Sequence, residues 1–408
     1  MLDWLQQFST FSFLDNHLYP GSQHTMECIA GAGARRSITA NAGNALSQLQ
    51  LFLDDKHSWV FGHLSYDLKN EIEAVSSSNR DQVGFPDLHF FEPEICIRFS
   101  PQGIFIEADD PHAVFKEIEA VVVSKRETGK PALVIHSRFT REEYLDTVRR
   151  LQNHILRGDC YEINFCQEFF ANADIIPLQA YWQLSQKSPN PFSLLYRQER
   201  HWLICASPER FLKKTGDHVL SQPIKGTAIR NVQDTNLDAL NKKNLLESEK
   251  DRSENVMVVD LVRNDLAKVC VEGSVEVDEL YGIYSFPQVH QMISTVSGRL
   301  DQEKTFTDII RATFPMGSMT GAPKKRVMEL IDKYERSKRG IFSGAAGYIT
   351  PSGDFDFNVV IRSIMYNETT RYLSFQAGSA ITFYSKPEDE WDECLLKAEA
   401  IRDVLKNQ

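Results

Sequence analysis

Strand-like runs in this 408-residue chain do not alternate regularly with helical ones, and that order constrains the fold more than any other feature. Within residues 1–130, SWVFGHLSY, EICIRFS and GIFIEAD are separated by turn signals, which predicts an antiparallel sheet. TREEYLDTVRRLQNHILRGD then places Tyr144, Val148, Leu151 and Ile155 at helical spacing, and DCYEINFCQEFF reads as a strand. Two more strands, ERFLKK and HVLSQPI, flank the turn Thr215-Gly216-Asp217. One long helix is predicted over LDALNKKNLLESEKDRSENVMVVDLVRNDLAKV, with others over APKKRVMELIDKYER and EDEWDECLLKAEAIRDVLKN. SGAAGYIT, FDFNVVIRSIMYN and YLSFQAGSAITF are strand-like. Strands without a βαβ rhythm predict an α+β fold, with sheets packed together and helices outside. A charged stretch with Gly and Pro, VSKRETGKPAL, marks a boundary between an N-terminal sheet segment, 1–130, and a larger region, 131–408.

The net charge of −11 argues against nucleic acid as a partner, because phosphate contacts need clustered Lys and Arg. It also means that an anionic ligand needs a local cationic site or a metal. The N-terminus lacks a basic segment followed by an apolar one, so no signal peptide is expected, and no run reaches the ~18 apolar residues of a membrane span. The seven cysteines are scattered without a CxxC pair, which reads as reduced, mostly buried thiols and a cytoplasmic location.

Four constellations carry candidate chemistry. The hairpin centred near Gly216 sets Glu209 opposite Pro223 and one diagonal step from Lys225. Lys225 can then be a solvated turn residue, a partner for an acidic ligand, or a nucleophile. In KDRSENVMVVDL, Asp251 and Glu254 share a helix face, as do Glu390, Glu393 and Lys397 in EDEWDECLLKAEAI. Solvated helix charges are one reading, and a Mg²⁺ cradle that keeps several waters is the other. In PMGSMTGAPKKRVMEL, small residues before Pro323 leave amides for an anion or for a plain helix cap, without the spacing of a Walker loop. Arg362 interrupts an apolar strand, exposed on one sheet face or buried against an anion, while Gly378 in QAGSA allows close approach to the backbone. Together these describe a site for a small dianion.

SPERF, PIKGT, KDRSENVMVVDLVRNDLAKV, FPMGSMTGAPKKRVMELID, GAAGY, VVIRS and QAGS follow one another as in the chorismate-utilising enzyme family, which this chain resembles over roughly residues 134–405. FGHLSYDL resembles the N-terminal part of that family. The resemblance implies an anthranilate synthase component I-like fold, with two packed, largely antiparallel sheets flanked by helices and the N-terminal segment interleaved. It implies that Glu254 and Glu393 bind Mg²⁺ carrying the ring carboxylate of chorismate, with Asp251 and Glu390 ordering its waters. Arg362, Gly378, Ala380, Lys397, Thr227 and the loop at Ser318 are implied in substrate binding. Lys225 is implied as a nucleophile toward C2 of the ring, and Glu209 as the acid that protonates the departing C4 hydroxyl. A lysine at this position marks the branch that adds ammonia at C4 en route to 4-aminobenzoate and folate; anthranilate synthases have PIAGT.

Ammonia is then expected from a separate glutamine amidotransferase subunit. A catalytically idle homologue that binds chorismate or tryptophan is a further alternative. Mg²⁺, Lys397 and burial are all expected to lower the pKa of Lys225. Three positions depart from the family pattern: Glu162 stands where amine-adding members usually have Gln, His290 precedes Gln291, where His is common, and Ala380 stands where anthranilate synthases have a second glycine after Gly378.

Overall fold

A computed structural model describes residues 1–19, 26–54, 58–122, 133–286 and 288–406. The stretch that marks the expected boundary lies largely outside them, at 123–132.

Two large sheets form, and every pairing between the described strands is antiparallel. The first runs from an edge at Gly321–Ala322 through Glu162–Asn172, Tyr372–Ile381, Ser363–Asn367, His201–Ser207 and Phe192–Gln198. It continues into the N-terminal strands Thr10–Asp15, Cys28–Ala32, Ile95–Ser100 and Gly103–Glu107. The second runs from Ile224–Ile229 through Val289–Arg299, His218–Gln222, Arg210–Thr215, Phe355–Val359 and Ala345–Ile349 to Val60–Leu64, Leu88–Glu92 and Arg36–Ala40. N-terminal strands therefore sit in both sheets, the interleaving that the resemblance implied.

Strand alternation explains the layers. Leu194 and Leu203 of the first sheet point into a core shared with Val60, Phe61 and Leu64 of the second. Their neighbours Leu195 and Ile204 point the other way, onto Tyr144, Val148, Leu151, Leu184 and Ile401 of the outer helices. Side chains with a period of two must divide in this way when both faces of a sheet are covered. Helix Arg141–Leu156 is stopped at its start by a capping box between Thr140 and Glu143.

Two expectations are corrected. The long helix is two, Thr235–Glu247 and Glu249–Ala267. Ser248 sits between them with ψ 112°, outside the helical range, and its hydroxyl caps the second helix by accepting from the Asp251 amide. Arg362 is not within a strand. Phe355–Val359 belongs to the second sheet and Ser363–Asn367 to the first, so the chain crosses between sheets at residues 360–362. Arg362 makes that corner with φ +52°, in the left-handed region.

Candidate active site

The crossing helps to shape a cavity of about 510 Å³, and every residue singled out for the site lines it except Glu390. Strand Ile224–Ile229 supplies Lys225 and Thr227, and the segment before Arg210 supplies Glu209. The two acidic helices supply Asp251, Glu254, Glu393 and Lys397, while Ser318, Arg362, Gly378 and Ala380 complete the wall.

Lys225 is 9% exposed, and its ammonium donates to Glu162 Oε1 at 2.6 Å. The protein groups around Lys225 act on its pKa in the direction opposite to the one expected. Burial opposes the charge, but the carboxylates of Glu162, Glu254 and Glu209 outweigh it and hold Lys225 above the ordinary lysine range. Nor is Glu209 its contact. Glu209 accepts instead from the Ser318 hydroxyl at 2.6 Å, and burial pushes its carboxyl up to about 7 despite Ser318 and Lys225. The Ser318 hydroxyl is thus committed to Glu209, and the amides of Met319 and Thr320 close the turn on themselves by donating to the carbonyls of Met316 and Gly317.

Arg362 has a part-buried guanidinium with one long hydrogen bond, Nη1 to the Lys397 carbonyl at 3.5 Å, and no ion pair among the described residues. Burial holds its pKa below the usual value against the pull of Glu393. A part-buried, nearly unpartnered guanidinium in a cavity wall is a binding point for a carboxylate. Lys397 reaches the Gly378 carbonyl at 2.9 Å and Glu393 at 2.7 Å. Gly378 owes its lack of a side chain first to the adjacent strand, since a Cβ there would lie 2.0 Å from the Phe165 carbonyl oxygen. Ala380 pairs with Asn164 and Thr227 with Gln291.

The acidic residues divide into pairs other than those expected. Lys397 holds the half-exposed Glu393 carboxyl below its ordinary range, against the partial loss of water around it. Asp251 lies against Gly226, which turns with φ +91°. Glu254 and Glu390 face one another across the ammonium of Lys250, 3.9 Å and 3.3 Å away. Glu254 Oε1 and Glu390 Oε2 are buried without a hydrogen-bond partner, and burial pushes Glu254 up to about 7. Among the described residues no set of three or more His, Cys, Asp or Glu converges as metal ligands. Two carboxylates with open oxygens nevertheless fit Mg²⁺, which keeps most of its waters and completes its shell from the substrate.

Adjacent positions on strand Val289–Arg299 separate the remaining departures. His290 faces away from the cavity, with its ring nitrogens against Ser285 and Asp238 at 2.8 and 3.1 Å. Gln291 lines the cavity, with Oε1 buried and unpartnered. His290 therefore does not replace an imidazole at 291.

Glu162 and Lys250 are the site residues that sequence patterns left out of the candidate set. Glu162 lies 63 positions from Lys225, beyond any local pattern. Lys250 was legible in principle, at i−4 from Glu254 on one helix face.

The family model for chorismate binding enzymes matches residues 8–403. The chain belongs to that family. It is similar to aminodeoxychorismate synthase component 1 of Salmonella typhimurium, with 34% identity over 351 residues, 85% of this chain and 77% of the relative. An anthranilate synthase component I-like protein of Synechocystis is 32% identical over 356 residues, covering 86% and 73%. Among solved structures, anthranilate synthase component I of Streptococcus pneumoniae superposes with a TM-score of 0.83 at 24% identity, covering 94% of each chain. The menaquinone-specific isochorismate synthase of Escherichia coli gives 0.78 at 17%, covering 99% and 91%. Both structures share the fold, as the sequence resemblance implied.

Proposed function

We propose that this enzyme aminates chorismate at C4, giving 4-amino-4-deoxychorismate, with ammonia supplied by a glutamine amidotransferase subunit. The observation that carries this reading is Lys225, a buried amine in the cavity wall, in hydrogen-bond contact with Glu162 and within the field of Glu209. A binding module needs no nucleophile there. Relatives named aminodeoxychorismate synthase component 1 support the same reaction. The product is a precursor of 4-aminobenzoate, which places the enzyme in folate biosynthesis. Among the described residues no helix is long and apolar enough to cross a membrane, and the enzyme works in the cytoplasm.

In the reaction, Arg362 takes one carboxylate of chorismate as a bidentate partner. Glu254 and Glu390 would hold Mg²⁺, with Asp251 and Glu393 nearby. When bound there, Mg²⁺ would supply positive charge against the other carboxylate and withdraw electrons from the ring. Lys225 must first shed a proton, and Glu162 is the acceptor in contact with it. The free amine forms a bond to C2 as the C4 hydroxyl departs, and Glu209, with a pKa of about 7, protonates that hydroxyl. Ammonia then bonds to C4 and Lys225 leaves C2.

Incubation with chorismate, Mg²⁺ and ammonium tests the reading by product identification. Aminodeoxychorismate is expected. Anthranilate would move the chain to the other branch, and no turnover even with a glutaminase partner would favour an idle homologue.

A further inference from the structure

An acidic pair at the edge of the site, Glu254 in its wall and Glu390 behind it, already holds a cation that belongs to the chain. Lys250 and Glu254 are one turn apart on helix Glu249–Ala267, and the Lys250 ammonium also reaches Glu390 on helix Pro387–Lys406. It therefore bridges the two helices at their carboxylates. Both carboxylates are buried, and each keeps an oxygen without a hydrogen-bond partner. Left without a positive charge, such a facing pair is costly to bury.

The other cavity lysines are committed elsewhere. Lys225 is bound to Glu162, and Lys397 to Glu393 and the Gly378 carbonyl. Lys250 differs from both in its route to water: its side chain is 44% exposed, against 9% for Lys225 and 28% for Lys397. A flexible four-carbon stem lets an ammonium leave such a position without moving the backbone. Mg²⁺ binds carboxylate oxygens at ~2.0–2.1 Å, so an ion bound to Glu254 and Glu390 competes for the space and the charge that Lys250 now occupies.

We propose that Lys250 is the resident counter-ion of the metal site, bridging Glu254 and Glu390 without metal and swinging into solvent when a divalent cation enters. Metal binding is then an exchange of one cation for another. The inference rests on the reading of Glu254 and Glu390 as Mg²⁺ ligands. It assigns Lys250 two consequences: the acidic helices stay together without metal, and the site's apparent metal affinity is held down by an internal competitor.

Mn²⁺ binding to the full chain, followed by the electron paramagnetic resonance of free Mn²⁺, tests this in wild type, Lys250→Met and Lys243→Met. Lys243 pairs with Glu247 on the exposed face of another helix and serves as the charge control. Lys250→Met should bind Mn²⁺ up to about fivefold more tightly, the scale of one partly exposed ion pair, and Lys243→Met should match wild type. In EDTA, Lys250→Met should melt below wild type, and saturating Mn²⁺ should close that gap because the metal replaces the lysine. Equal or weaker Mn²⁺ binding by Lys250→Met overturns the exchange while leaving the metal site intact. A melting gap that persists at saturating Mn²⁺ also overturns it. Absence of Mn²⁺ binding in both proteins overturns the exchange together with the metal reading beneath it.

Discussion

Replacing Lys225 with methionine keeps most of the side-chain volume and removes the charge. It leaves Glu162, 1% exposed and with Oε2 already unpartnered, facing an apolar group. Removing one member of a buried pair costs about 3–5 kcal/mol, because the remaining charge is stranded. Glu209 and Glu254 add little to that cost near neutral pH, since each can take up a proton at about 7. With an unfolding entropy of roughly 2.1 cal/mol/K per residue, the loss lowers the melting temperature of a 408-residue chain by about 4–6 °C. The double variant Glu162→Gln/Lys225→Met removes both charges and should recover at least half of the loss. Thermal unfolding in EDTA at pH 7 reads all three proteins. Wild-type stability in Lys225→Met, or a double variant no more stable than the single one, would refute the ion pair as the dominant contact of Lys225.

Glu209 gives a pH prediction of opposite sign to the usual carboxylate. Its folded pKa of about 7 lies above the ordinary 4.5, so the folded state binds more protons and loses stability as pH rises from about 4.5 to 7. Glu209→Gln should therefore gain stability relative to wild type between pH 5 and pH 8; denaturant titrations at both pH values would expose a constant difference as a failure. Arg362→Gln removes a guanidinium with no competing ion pair, and at ~1.5–3 kcal/mol per charged hydrogen bond KM for chorismate should rise about 100-fold, with a smaller change in kcat. An unchanged KM would take the substrate carboxylate elsewhere. His290→Ala should leave KM near wild type and Gln291→Ala should raise it, because 291 alone of the two lines the cavity; steady-state kinetics showing the reverse would contradict that assignment.

Much of this was legible in local patterns. Turn-punctuated strands without βαβ rhythm yielded the α+β class, and the acidic helices, Lys225, Glu209 and Arg362 all converge on the cavity. What stayed hidden depended on distance along the chain or on a single backbone angle. VVIRSIMYN reads as one strand because nothing in its composition marks residues 360–362 as a crossing between sheets. The helix break at Ser248 was hidden inside continuous helix formers, although Ser before an acidic turn is a capping signal. The partner of Lys225 comes from a strand 63 residues away, and that contact reversed the direction expected for its pKa. His290 and Gln291 could not be told apart until the strand had a face.

The central claim is a bond between Lys225 and the chorismate ring. Mass spectrometry of the full chain, quenched during turnover with chorismate and Mg²⁺ but little ammonium, addresses it directly. An adduct of chorismate less one water on the peptide carrying Lys225, absent in Lys225→Ala, is the predicted result. Undiminished aminodeoxychorismate formation by Lys225→Ala, with no adduct on the wild type, would contradict it.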